Sequence, residues 1–423
     1  MLCPMLDTAI TKRLRLPGGR PFHLILLSLA VSSCGDWLYN VALLVFVFQR
    51  TGSATWVALT TAVRVLPVVV LGPIGGVLAD RYDRRRLIIA SSTARALLMI
   101  VLGGAAALGL PVIFAPLIAA AATAISVVEP PCVAACTARF VPDSELQGAQ
   151  ALRAGVGQAA VVVGPALGAL VLFASTPAIA IFLNALTFLG SAVAIGSIAP
   201  GPEFRPAAPE PGAANPGMLA ELRAGADALK GAPAALTLVA ADVLSSAVYG
   251  LLTVALVFVT RKVGAGDGGY GLMLAAFGAG GVAGAIVTAR IEGARLWRRM
   301  LALALAFVGL TLAGLGVVPT LPLALGLAFL GGGGMIVGEV LAETALPRML
   351  DDAVLARAYG LVFPASIAGI VAGSLTGGPL LALFGLTGVL AVAGLFVLIV
   401  AVLLLHRPLA PRPVNLHTDL ASA

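Results

Sequence analysis

From Phe22 to Phe48 the chain runs 27 residues with a single Asp, Glu, Lys or Arg among them, Asp36, and this stretch narrows the possible folds more than any other feature. As a helix rising about 1.5 Å per residue it would be roughly 40 Å long, more than the ~30 Å hydrocarbon core of a bilayer. Eleven further segments of similar character follow, at 54–78, 87–108, 112–137, 151–174, 177–199, 235–259, 268–290, 299–318, 320–343, 359–383 and 386–405. Lipid offers the backbone no hydrogen-bond partners, so a spanning chain must be helical or a closed barrel. Unbroken apolar runs without two-residue alternation select helices. The expected fold is therefore an all-α membrane protein with twelve transmembrane helices. Only 11% of residues are charged, where a soluble chain carries about 25%. The 50 glycines fall largely inside the apolar segments, where small residues let helices approach closely.

A net charge of +7 could mark a nucleic-acid surface, but its distribution says otherwise. With the N-terminus placed in the cytoplasm, 21 of the 26 Lys and Arg residues fall on the cytoplasmic side. Arg50, Arg261 and Lys262 fall outside, and Arg64 and Arg95 lie within the membrane. This is the positive-inside pattern; it places both termini in the cytoplasm and gives no reason to expect nucleic acid as a partner. Lys12, Arg13, Arg15 and Arg20 precede an apolar stretch about twice too long for a signal peptide, so that stretch is expected to stay as the first span. Cys132 and Cys136, four apart on one segment, fit neither a redox pair nor a disulfide and are expected to pack as small apolar residues.

The segments divide six and six about residues 200–234, where six prolines between 200 and 216 interrupt the apolar pattern. The organisation read from this is a bundle over 1–199, a linker over 200–234 and a second bundle over 235–423. Leu219, Leu222, Ala226 and Leu229 give the linker a short amphipathic stretch. The halves look duplicated: "SSCGDWLYNVALLVFVF" in the first segment aligns with "SSAVYGLLTVALVFV" in the seventh. Duplication of this kind yields two pseudo-symmetric bundles about an axis along the membrane normal, with a substrate path between them. A duplication without any path is the alternative.

Ionisable residues inside a membrane are costly and are functional candidates by default. Counting along each segment puts Asp36 and Arg64 both near the midplane, where they could pair. Arg95 and Glu129 match in depth, about 12 Å from the cytoplasmic end. Asp242, Glu339 and Glu343 have no basic residue within the membrane-embedded part of their own bundle, although Glu343 could reach the interface, and this surplus of acids mildly favours a cationic cargo. His23, His406 and His417 lie at or beyond segment ends, so a proton-coupling role falls to the acids, Asp36 first and Asp242 or Glu339 next. A permanent Asp36 ion pair is the structural alternative.

After the second segment comes "GGVLADRYDRRRLI", residues 75–88. Gly76 there would allow a close helix approach, Asp80 could accept hydrogen bonds from a helix N-terminus, and Arg81, Arg84, Arg85 and Arg86 would face lipid headgroups. The string resembles the major facilitator superfamily signature between helices 2 and 3, with Asp83 where a second glycine is usual. The neighbouring text resembles the bacterial efflux branch of enterobactin exporters and drug:proton antiporters. The resemblance implies the twelve-helix facilitator fold and an Asp80 latch near the start of the eleventh segment and Arg139. Gly164-Pro165 in "GPALGALV" resembles part of an antiporter signature lacking its last glycine, and Gly369, Gly373 and Gly377 recur in the eleventh segment. Both are expected to form notches where helices pack.

Gly331–Gly334 lacks the Lys-Ser/Thr of a phosphate loop, and no metal cluster or nucleophile triad is legible, so no enzyme activity and no cofactor are expected. What the resemblance then implies is a monomeric transporter of the bacterial inner membrane. It would export small amphipathic molecules, drug-like or siderophore-like, by alternating access and proton antiport; an importer or facilitator of a small metabolite, or a non-transporting scaffold or receptor, are the alternatives.

Overall fold

A computed structural model describes residues 17, 19–205, 233–288, 294–345 and 352–406. Among these, every regular element is helical. The first part of the chain forms α1 (Arg20–Thr51), α2 (Ala54–Arg81), α3 (Arg84–Ala107), α4 (Phe114–Ser126), α5 (Glu129–Phe140), α6 (Asp143–Ala174), α7 (Pro177–Gly196) and a 3-10 turn at Pro202–Phe204. The second part forms α8 (Pro233–Lys262), α9 (Gly266–Thr288), α10 (Ala294–Val317), α11 (Leu321–Ala345) and α12 (Asp352–His406).

Two irregularities reconcile these elements with twelve crossings. The fourth span is broken: α4 ends at Ser126, Val127 and Val128 form a turn, and α5 restarts at Glu129. Pro130 and Pro131 have no N–H to offer, so the ladder cannot run through. In the other direction, α12 is two spans joined. Its apolar part, Ala365–Leu404, is 40 residues long, about twice what a bilayer needs. Gly385 divides it with φ 67° and ψ 170°, a backbone conformation that is strained for any side chain. Eleven described stretches are long and apolar enough to span, and the division at Gly385 makes the last of them two. The twelve-span, all-helical expectation holds.

Packing groups the chain into two compact units, one formed by Met1–Leu43 and Val70–Pro209, the other by Leu44–Val69 and Glu210–Ala423. In the first, α3 lies along α7, and Gly164 and Gly168 of α6 press on α1. A Cβ on Gly164 would strike the Cys34 carbonyl and Trp37; one on Gly168 would meet Leu38 and Val41. The second unit repeats this contact. A Cβ on Gly373 of α12 would strike the Ala247 carbonyl of α8, and one on Gly377 would meet Leu251 and Val254. Under the alignment of the two serine-containing strings, Cys34, Leu38 and Val41 correspond to Ala247, Leu251 and Val254. The duplication read from sequence is thus present as the same helix-on-helix contact.

At the basic end of the first unit the signature loop does something other than face headgroups. Asp83 caps α3, its side chain accepting from the Arg86 N–H at 2.9 Å. Arg84 is 6% exposed and donates to the Ala79 carbonyl at 3.2 Å and the Arg205 carbonyl at 3.5 Å. Arg85 donates to the Ile198 carbonyl at 2.9 Å and to Gly196, tying down the end of α7. Phe204 is fully buried among Ile25, Ala79, Ile88, Cys132, Cys136 and Ile195, with its ring 5.0 Å from that of Phe140. The start of the linker is therefore folded onto the bundle.

Gly75, not Gly76, makes the close approach: a Cβ there would strike the Val127 carbonyl at the break in the fourth span, whereas Gly76 has open space. Gly75→Ala is expected to destabilise by about 1–3 kcal/mol. Gly76→Ala should be neutral or stabilising by up to about 1 kcal/mol, from helix propensity alone. Melting of the two variants in detergent decides; equal losses would refute the assignment.

Candidate functional site

The break between α4 and α5 positions the site. Glu129 begins α5, where the helix dipole favours a carboxylate. One oxygen accepts from Ser91 at 2.8 Å and from Ser92 at 3.5 Å, both on α3. The other accepts from Arg95, one turn further along α3, at 2.9 Å. Arg95 also reaches α1, where its second terminal nitrogen grips both oxygens of Asp36 at 2.7 and 2.8 Å. Its guanidinium carbon lies 3.9 Å from the centre of the Phe188 ring on α7. One cation thus joins two acids while resting on an aromatic face, an arrangement strengthened by its removal from water.

The pairing differs in part from the depth count. Arg95–Glu129 is as expected, but Asp36 takes Arg95 rather than Arg64. The members differ in access: Arg95 is 6% exposed in its side chain, Glu129 18% and Asp36 39%. The trio carries one formal negative charge in excess, and Asp36 is its open end. Asp36, Arg95 and Glu129 line a cavity of about 240 Å³ with Ser28, Ser32, Ser33, Ser126, Ser191 and Arg153. Ser28 and Ser191 are hydrogen-bonded at 2.6 Å, and Ser191 meets Ser92 at 3.3 Å. The hydroxyls were not singled out from sequence, yet Ser28, Ser32 and Asp36 recur every four residues, the spacing of one helix face.

The other candidates lie apart from this cavity. Arg64 belongs to the second unit; it is partly buried and its Nε is buried without a hydrogen-bond partner. It lies within electrostatic reach of Tyr249 on α8 and Tyr270 on α9. Asp242 on α8 accepts from Ser366 on α12, and Glu339 is exposed on α11. The Glu343 side chain and the amphipathic stretch of the linker lie outside the described residues. Asp80 is 81% exposed, 3.9 Å from Arg84, and the helix-capping role considered for it belongs to Asp83. Arg81 and Arg139 are exposed, and Pro165 sits inside α6 beside the Gly164 contact.

A duplicated twelve-span helical fold with a buried charge cluster in the middle of its spans is that of a major facilitator transporter. The chain belongs to the transmembrane secretion effector family, whose profile matches residues 19–419. It is 30% identical over 170 residues to the uncharacterized MFS-type transporter YfiS of Bacillus subtilis (strain 168), covering 40% of each chain. It is 28% identical over 153 residues to macrolide efflux protein A of Streptococcus pyogenes, covering 35% of this chain and 37% of that one. The alignments thus span about two fifths of these relatives' length. Among solved structures it resembles the nucleoside transporter NupG with a TM-score of 0.75 at 11% identity, covering 92% of this chain and 98% of that one. It also resembles a bacterial homolog of the human lysosomal transporter Spinster, with a TM-score of 0.72 at 12% identity, covering 92% and 97%. These neighbours are transporters, not enzymes, and at such identities they speak for the fold alone.

Proposed function

We propose that this protein exports small amphipathic molecules across the bacterial inner membrane in exchange for protons, with both termini in the cytoplasm and the single chain as the working unit. The observation that carries the reading is the half-open Asp36 held by a buried Arg95 at the edge of a hydroxyl-lined cavity. A carboxylate in that position can exchange its arginine partner for a proton or for cargo, and either event alters what holds α1, α3 and α5 together. Membership of a secretion family and likeness to a macrolide efflux protein support the outward direction. In this mechanism the two bundles rock, with the helix pairs joined at Gly164-Pro165 and at Gly373 and Gly377 moving as blocks. Exposed Asp80 and Arg139 supply the latch.

The test is a pH step imposed on proteoliposomes loaded with a fluorescent amphipathic dye. Wild type should build a dye gradient, and Asp36→Asn should lose the proton-driven part while retaining exchange of dye for dye. A coupling of about 1–3 kcal/mol corresponds to a roughly 5–150-fold loss of driven accumulation. Undiminished pH-driven accumulation by Asp36→Asn would remove Asp36 from the coupling role.

A further inference from the structure

Arg64 lies within electrostatic reach of Tyr249, and the surroundings of this cation are unlike those of Arg95. In the first unit Asp36 neutralises Arg95. The repeat alignment places Tyr249 at the position equivalent to Asp36. A phenol brings no negative charge, so Arg64, within electrostatic reach of it, receives no counter-ion there. None of the described residues forms an ion pair with Arg64, and its Nε lies buried without an acceptor. The nearest acid along α8, Asp242, is two turns from Tyr249, about 10 Å along the helix axis, and is engaged by Ser366. The Tyr270 hydroxyl is already spent on the Thr253 carbonyl at 3.2 Å, whereas the Tyr249 hydroxyl makes no hydrogen bond among the described residues. The Tyr249 ring lies 5.9 Å from that of Phe277.

A guanidinium at mid-span that no described residue neutralises is expensive in a membrane, and a charge kept there calls for a counter-charge. We infer that Arg64 and Tyr249 bind the anionic group of an aromatic cargo, a carboxylate accepting from the guanidinium and the phenol while the cargo's ring lies against Tyr249 and Phe277. The inference rests on the export reading and adds to it the charge of the cargo. It reverses the mild expectation of a cationic cargo, which depended on unpartnered acids in the second half.

Binding of naphthalene-carboxylate and of its neutral carboxamide to the purified full-length protein tests this, with quenching of Trp56, about 12 Å along α2 from Arg64, as the signal. Wild type should prefer the carboxylate by about tenfold or more, the worth of a charge-assisted hydrogen bond. Arg64→Gln should erase that preference while still binding the carboxamide, and Arg64→Lys should keep part of it. Arg64→Gln should also melt no lower than wild type, because it removes a charge that no described residue pairs. Equal affinities in wild type, or a preference that survives Arg64→Gln, would overturn the inference. So would an Arg64→Gln protein that melts early and binds neither probe, since Arg64 would then be structural. Proton-driven dye flux judges the export reading separately: flux without carboxylate preference defeats only the anion site, and preference without flux defeats only export.

Discussion

Replacing Arg95 with methionine is expected to destabilise the protein by about 3–5 kcal/mol, and adding Asp36→Asn and Glu129→Gln to that variant is expected to restore most of the loss. Arg95 is 5% exposed and holds carboxylates from α1 and α5 on two sides of one guanidinium. Without it, Glu129 keeps only the Ser91 and Ser92 hydroxyls and Asp36 loses its partner at the cavity edge. The triple variant keeps two neutral amides, at positions 36 and 129, and leaves no charge to compensate. Stability should therefore recover while proton-driven transport does not, which separates what the trio does for the fold from what it does for coupling. Melting of the single, double and triple variants in one detergent measures the interaction energy directly. If the triple variant melts no higher than Arg95→Met, the three residues do not act as a unit.

Phe204→Ala should cost about 3–5 kcal/mol, as expected for emptying a fully buried aromatic site. The ring fills a pocket built from α1, α2, α3, α5 and α7, closed by Phe140. Arg84 holds the carbonyl of the next residue, Arg205, so the anchor is apolar and polar at once. Phe204→Leu, which keeps much of the volume, should lose considerably less. A loss within about 0.5 kcal/mol for the alanine variant, the range of an ordinary surface substitution, would mean the segment carries no packing role.

The spans, their helical character and the duplication were legible because lipid imposes length and polarity rules on every residue that crosses it. Asp36, Arg95 and Glu129 were legible for the same reason. Their pairing was legible only in part, because counting along a helix gives depth and not direction. Asp36 and Arg64 match in depth, but Arg95 on another helix is the residue aimed at Asp36. Gly75 and Gly76 illustrate the same limit: one residue turns the helix by about 100°, enough to exchange a packed face for an open one. The arginines of the signature loop were misjudged for a different reason. Arg84 and Arg85 bind backbone carbonyls, which every residue has, so the sequence around Gly196 and Ile198 gives no sign of the acceptors. Phe204 was hidden by its surroundings, a proline-rich stretch that reads as exposed linker until the chain is seen folding back.

Gly385 has a bearing on how the protein is made. With a single non-helical residue joining its two arms, the last hairpin has almost no slack. A ribosome-bound chain could not lay down the eleventh crossing and let the twelfth wait on a tether outside the bilayer. The two arms are therefore expected to enter the bilayer as a single unit.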